Sequence, residues 1–185
     1  MRAGVRATKY SYLDDWHYEP RVNLSISFPW EINLRAAWGH YYQYIISINS
    51  QEYEISQFLD YYYPLRGRKP SASVHKVVGF DKSLGKRLDL SLDFYHKDLQ
   101  RVYTFDYNLS ESEAYRFSDK INSGTGESYG MELMLRGTWK KISGWISYGL
   151  GRSSRSYPHI MNGKEYTYDY DRTHSFKAML THQIN

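Results

Sequence analysis

The chain has 185 residues, 41% hydrophobic and 17% aromatic, with 20 Tyr, 5 Trp, no Cys and a formal net charge of +4. So many rings speak against a disordered chain, and the lack of Cys removes disulfide frameworks and thiolate metal sites. Lys and Arg are scattered among Asp and Glu, so no basic run follows nucleic acid, and no segment approaches the roughly 18 to 20 apolar residues of a membrane helix.

Eight strands are predicted, near residues 2–12, 20–28, 32–44, 72–83, 87–104, 124–139, 144–156 and 172–184. Apolar side chains recur in them with period two, which puts alternate residues on opposite faces. In the second, Val22, Leu24, Ile26 and Phe28 share one face, and Arg21, Asn23, Ser25 and Ser27 the other. The third sets Ile32, Leu34, Ala36 and Trp38 against Asn33, Arg35, Ala37 and Gly39. The fifth sets Leu88, Leu90, Leu92 and Phe94 against Asp89, Ser91, Asp93 and Tyr95, and the sixth Tyr129, Met131, Leu133 and Leu135 against Gly130, Glu132, Met134 and Arg136. The last repeats the pattern more weakly, with Phe176, Ala178 and Leu180 opposite Ser175, Lys177 and Thr181. Most of these strands reach ten residues, where soluble strands average about five or six and a tilted crossing of hydrocarbon needs about 9 to 11.

The links sort by length. PWE, LGK and KKIS are hairpin turns, whereas the links near 13–19, 45–71, 105–123 and 157–171 are long, and the two kinds alternate. Outer-membrane barrels alternate in this way, with short periplasmic turns and long extracellular loops. Trp30, Trp139 and Trp145 lie beside the short turns, and Tyr42, Tyr44 and Tyr103, with Tyr18, Tyr129 and Tyr157, lie toward the long-loop ends. Two interfacial girdles are the simplest account, although both residue types also favour strands in general. The polar face, with Arg21, Asn23, Arg35, Asp89, Asp93, Glu132, Arg136 and Lys177, would be costly in a dry core, but a wide or plugged lumen accepts it. The fold class is therefore all-β: an antiparallel transmembrane β-barrel, with about eight strands present of a larger barrel, in contact with outer-membrane lipid.

Three stretches carry a family resemblance. EPRVNLSISFPWEINLRAAWGHYYQ (19–43), SYGMELMLRGTW with Gly130 and Glu132, and YDYDRTHSFKAMLTHQI with Asp171, Arg172 and His174 stand in the order of the C-terminal barrel half of TonB-dependent receptors. The chain resembles that family, which implies a place in the outer membrane of a Gram-negative bacterium and uptake of a scarce nutrient such as siderophore-iron, cobalamin or a glycan. It also implies partners: the rest of the barrel, a plug domain, a TonB-type energy-coupling protein reached through that plug, and a small nutrient ligand. The whole of 1–185 is read as one partial barrel domain, with plug and flanking strands absent, because the opening MRAGVRATKYSY lacks the apolar core of a secretion signal and no terminal aromatic strand follows.

Chemistry beyond binding is not signalled. The seven His show no close ligand spacing, and there is no nucleophile elbow or phosphate-cradling loop, so no enzyme, metal site or cofactor is expected. The loops are more suggestive. FLDYYYPLRGRKP joins Tyr61, Tyr62 and Tyr63 to Arg66 and Arg68, and GKEYTYDYDR carries Tyr166, Tyr168 and Tyr170. Rings beside cations can hold sugar faces, aromatic chelators or anionic groups, which makes these eight residues the candidate extracellular ligand contacts. Two alternatives stand beside the receptor: a complete small eight-stranded barrel acting as adhesin or anchor, and a soluble carbohydrate-binding β-protein.

Overall fold

A computed structural model describes residues 1–48, 61–105 and 117–184. Its strands are β1 (Arg2–Lys9), β2 (Trp16–Phe28), β3 (Ile32–Gln43), β4 (Ile45–Ile48), β5 (Tyr61–Pro64), β6 (Ser71–Leu84), β7 (Leu88–Phe105), β8 (Ile121–Trp139), β9 (Ile142–Ser156), β10 (Tyr166–Thr167) and β11 (His174–His182). The main sheet runs β1-β2-β3-β6-β7-β8-β9, with β10 and β11 sharing the far edge of β9, and every pairing is antiparallel. The eight strands expected from the period-two pattern are β1, β2, β3, β6, β7, β8, β9 and β11.

The three short links close tightly, joining Phe28 to Ile32, Leu84 to Leu88 and Trp139 to Ile142. Their backbones enter the left-handed region at Trp30, Glu31, Gly85 and Lys140, the twist that suits right-handed strand pairs. All three lie at one end of the sheet.

Lateral register fixes the two faces. Leu24, Ala36, Val78, Phe94, Met131 and Leu150 form one continuous row, and Ile26, Leu34, Phe80, Leu92, Leu133, Tyr148 and Phe176 form the next. These side chains meet no opposing layer: Leu24 and Leu133 are each 40% exposed, Val78 58% and Phe94 51%. A soluble sandwich would bury them, which sets aside the soluble carbohydrate-binding alternative. The apolar band is also staggered. It reaches from Tyr18 to Phe28 on β2 but lies between Ile142 and Leu150 on β9, and the row from Val22 through Trp38 ends in Lys76, His96, Tyr129 and Arg152. Such a stagger follows when strands cross the membrane plane at a tilt.

The sheet does not close. β1 pairs only with β2, and β11 only with β9. A complete eight-stranded barrel is therefore not what these strands build, and open edges are what a section of a larger wall presents.

Two links hold more structure than one continuous loop. Within 45–71, β4 and β5 pair as a ribbon, and Ile46 and Leu65 bury against Ile121 with Tyr63, Tyr103 and Phe105 packed around them. In the link after β9, Tyr166 and Thr167 return to pair with Arg155 and Ser154. β2 likewise begins at Trp16 rather than near residue 20, because Trp16 to Glu19 pair with Arg6 to Lys9.

Candidate functional site

The polar face divides into two zones along the strands. Near the short turns Arg35 is the centre of a paired cluster. Arg35 donates from Nε to Asp81 Oδ2 at 2.6 Å, and from Nη2 to Asp81 Oδ1 at 2.9 Å and to Asp93 Oδ1 at 3.0 Å. Ser91 Oγ donates to Asp81 Oδ1 at 2.8 Å, and Asn33 Nδ2 to Asp81 Oδ2 at 3.3 Å. Gly79 stands between Arg35 and Asp93 in the ladder, and a Cβ there would come 2.9 Å from Arg35 Nη2. Its missing side chain lets the guanidinium lie across the strand to reach a second carboxylate.

Glu19, 3% exposed, binds Arg21 at 2.8 Å and lies 3.9 Å from Arg6. Its Oε1 accepts the Tyr42 backbone N–H at 2.9 Å, just beyond the last β2–β3 pair, Arg21 with Gly39. The carboxylate thus satisfies a backbone donor that the ladder has stopped serving. The Arg21 guanidinium lies 4.6 Å from the Tyr41 ring centre, and the Tyr41 ring lies 4.4 Å from His75.

Toward the long loops, small residues clear the wall for rings and cations. Tyr95 lies over Gly130 and Gly151, where added Cβ atoms would come 2.8 Å and 2.5 Å from its hydroxyl. Arg155 lies over Gly126, whose Cβ would come 2.7 Å from Arg155 Cδ, and its guanidinium stacks 4.2 Å from the Tyr168 ring centre. Arg155 is 9% exposed and donates from Nη1 to Ser153 Oγ at 3.0 Å and to the Ser154 carbonyl at 2.7 Å. Asp171 accepts the Ser153 N–H at 2.7 Å and so ties the β10–β11 segment to β9.

The sequence-predicted contacts separate. Tyr168 and Tyr170 stack edge-on at 5.5 Å, and both line a recess of about 320 Å³ with Tyr95, Glu132 and Arg155. Tyr166 faces Tyr157 at 6.4 Å. Arg66 turns to β1's end, donating to the Tyr12 hydroxyl at 3.0 Å with its guanidinium 4.4 Å from that ring. Tyr62 is 70% exposed, Tyr63 packs in the small core, and Arg68 lies in the same link as Arg66. The side chain of Tyr61 lies outside the described ones.

The girdle candidates separate too. Trp30 stands at a turn tip, and Trp139 shares the lipid-facing side with Leu133 and Leu135. Trp145 pairs with Arg136 and Met179, on the polar side. Tyr42 and Tyr44 join an aromatic group with Tyr10 and His17, with ring centres 4.7 to 5.5 Å apart. The Tyr103 hydroxyl donates to the Lys69 carbonyl at 2.6 Å. Sequence reading did not single out Lys97, Arg101 or Arg155, although the alternation that marks Asp93 as inward marks Lys97 as well. Among the described residues no group of three or more His, Asp or Glu converges as a metal site.

Burial pushes the Tyr157 phenol up to about 12, and burial also raises Tyr166 and Tyr168. The folded loop therefore favours neutral Tyr157. That contribution is complete below the ordinary value of 10.0 and is lost as pH rises through about 12. We expect Tyr157→Phe to delete a phenolate that titrates at about 12 from the ultraviolet titration of the intact protein. An unchanged late step would refute the assignment.

Long paired strands, an apolar face without an opposing layer, a charged opposite face and turns confined to one end define a section of transmembrane β-barrel wall. The family model described as TonB dependent receptor-like, beta-barrel matches residues 2–182, and the chain belongs to that family of outer-membrane receptors and transporters. No curated protein and no solved structure matches it.

Proposed function

We propose that this chain forms part of the wall and outer mouth of a receptor that imports a small scarce nutrient across the outer membrane of a Gram-negative bacterium. Its lipid-facing band meets the membrane, and the polar face lines the path taken by the ligand. A plug domain would fill that path, and a TonB-type energy-coupling protein would act through the plug. The observation that carries this reading is the recess at the long-loop end, where Tyr168, Tyr170, Tyr95 and Arg155 converge on the polar face. Aromatic faces beside a cation in a concave site are a common means of holding a small ligand. Tyr62, Arg66 and Arg68, farther along the rim, belong to the first encounter with ligand, and Tyr63 holds the ribbon that carries them.

The test uses the intact receptor in cells. Accumulation of its nutrient should require the energy-coupling protein, and Tyr168→Ala with Tyr170→Ala should weaken binding about tenfold, equal to about 1.4 kcal/mol. Tyr62→Ala should cost less. Uptake that persists without the coupling protein would refute the transport reading, and undiminished affinity in the double variant would remove the recess from ligand binding.

A further inference from the structure

We infer that the ligand taken by this wall is anionic and that its charged oxygens settle between Arg155, Lys97 and Arg101, an inference that rests on the receptor reading above. Arg155 carries the argument. A guanidinium that is 9% exposed has lost nearly all its water, yet no carboxylate pairs with it among the described residues, and its Nε has no hydrogen-bond partner. Its two acceptors are the neutral Ser153 hydroxyl and the Ser154 carbonyl. A buried cation held only by neutral groups is costly, and an arriving anion removes that cost.

The surroundings point the same way. Arg155 lines the recess of Tyr168 and Tyr170 and also an adjoining recess of about 500 Å³, which Lys97, Arg101, Tyr41 and His75 line as well. Ser128 and Ser153 border both and offer hydroxyls at the junction. Lys97 Nζ lies 5.3 Å from the Tyr95 ring centre, and Arg101 Nε donates to the Pro70 carbonyl at 2.8 Å. Neither is ion-paired among the described residues. Five carboxylates line the recesses that Arg155 borders, and none forms an ion pair with it among the described residues: Asp98, Glu127 and Glu165 line a separate recess on its other side, and Asp171 and Glu132 line that of Tyr168. Asp171 is occupied by the Ser153 N–H and the Thr173 hydroxyl, and Glu132 pairs laterally with Gly149, toward the short turns. The contrast with the lower wall is direct, because there Arg35 is matched to two aspartates. Unmatched cations gathered around the outer recesses form a site that selects negative charge.

Carboxylates of a chelator and phosphates share this chemistry, so both are tested. The purified intact receptor in lipid nanodiscs is titrated calorimetrically with citrate, pyrophosphate and, as a neutral probe, maltotriose. One of the two anions should bind, more weakly at high salt, and which one binds separates the sources. Lys97→Gln should weaken that binding several-fold and Arg155→Gln at least about tenfold, with Arg155→Lys between wild type and Gln. Lys97 is only half-buried, so Lys97→Gln keeps the test valid even if Arg155 variants fold poorly. Failure of both anions to bind, or equal affinity in Lys97→Gln, overturns the inference. Binding of maltotriose alone also overturns it while leaving the importer standing, whereas uptake in cells that persists without the coupling protein removes the importer itself.

Discussion

Leu133→Arg in the intact receptor should lower folding stability by about 2–4 kcal/mol, whereas Met134→Arg, one residue along the same strand, should cost about 1 kcal/mol or less. The difference comes from the pleat. Leu133 lies in the row of Leu92 and Tyr148, roughly midway between Tyr129 and Trp139 along the lipid-facing side of β8, so an arginine there would sit in hydrocarbon. Met134 pairs with Ser91 and Ser147 on the polar face, where water and hydroxyls receive a guanidinium. Denaturant unfolding in lipid vesicles measures both. Equal costs, or a larger cost at Met134, would reverse the sides of the sheet and with them the lumen.

The second large effect is expected at Glu19. Glu19→Ala strips the partner from Arg21 and leaves the Tyr42 N–H without an acceptor. Hydrogen bonds to charged groups contribute about 1.5–3 kcal/mol each, but Arg21 is 39% exposed and recovers part of its loss to water, so about 2 kcal/mol is expected. Glu19→Gln, which can still accept from Tyr42, should lose about half as much. Hydrogen exchange should show the Tyr42 amide deprotected in Glu19→Ala and nearly unchanged in Glu19→Gln. Retained protection in the alanine variant would mean the ladder end is held by something else.

Much of this fold is legible in the sequence because lipid imposes a strict rule on every second residue. Leu24, Leu34, Leu92 and Leu133 mark one side unaided, and the turns at Trp30, Gly85 and Lys140 are short enough to fix which strands are neighbours. The rule weakens where lipid ends. Ile46 and Leu65 pack against Ile121, far away in sequence, and no local pattern distinguishes that contact from a solvated loop. Trp145 shows a second limit: a ring near a turn suggests an interface, but strand parity puts it beside Arg136. The recess was only half legible. Tyr168 and Tyr170 stand out by composition, but the importance of Arg155 depends on its burial and on the carboxylate it lacks, and both appear only when Gly126, Tyr168 and Ser153 are assembled around it.

The stagger of the apolar band bears on how depth should be judged in this wall. Hydrogen-bonded neighbours are not neighbours in height: Val22 and Arg152 occupy one lateral row, yet the first lies within the apolar band and the second beyond its Leu150 edge. A quencher attached to the lipid tails should therefore darken fluorophores along a line oblique to the ladder, descending toward the short turns from β2 to β9. The slope of that line would report the lean of the strands, and hence the girth of the complete barrel.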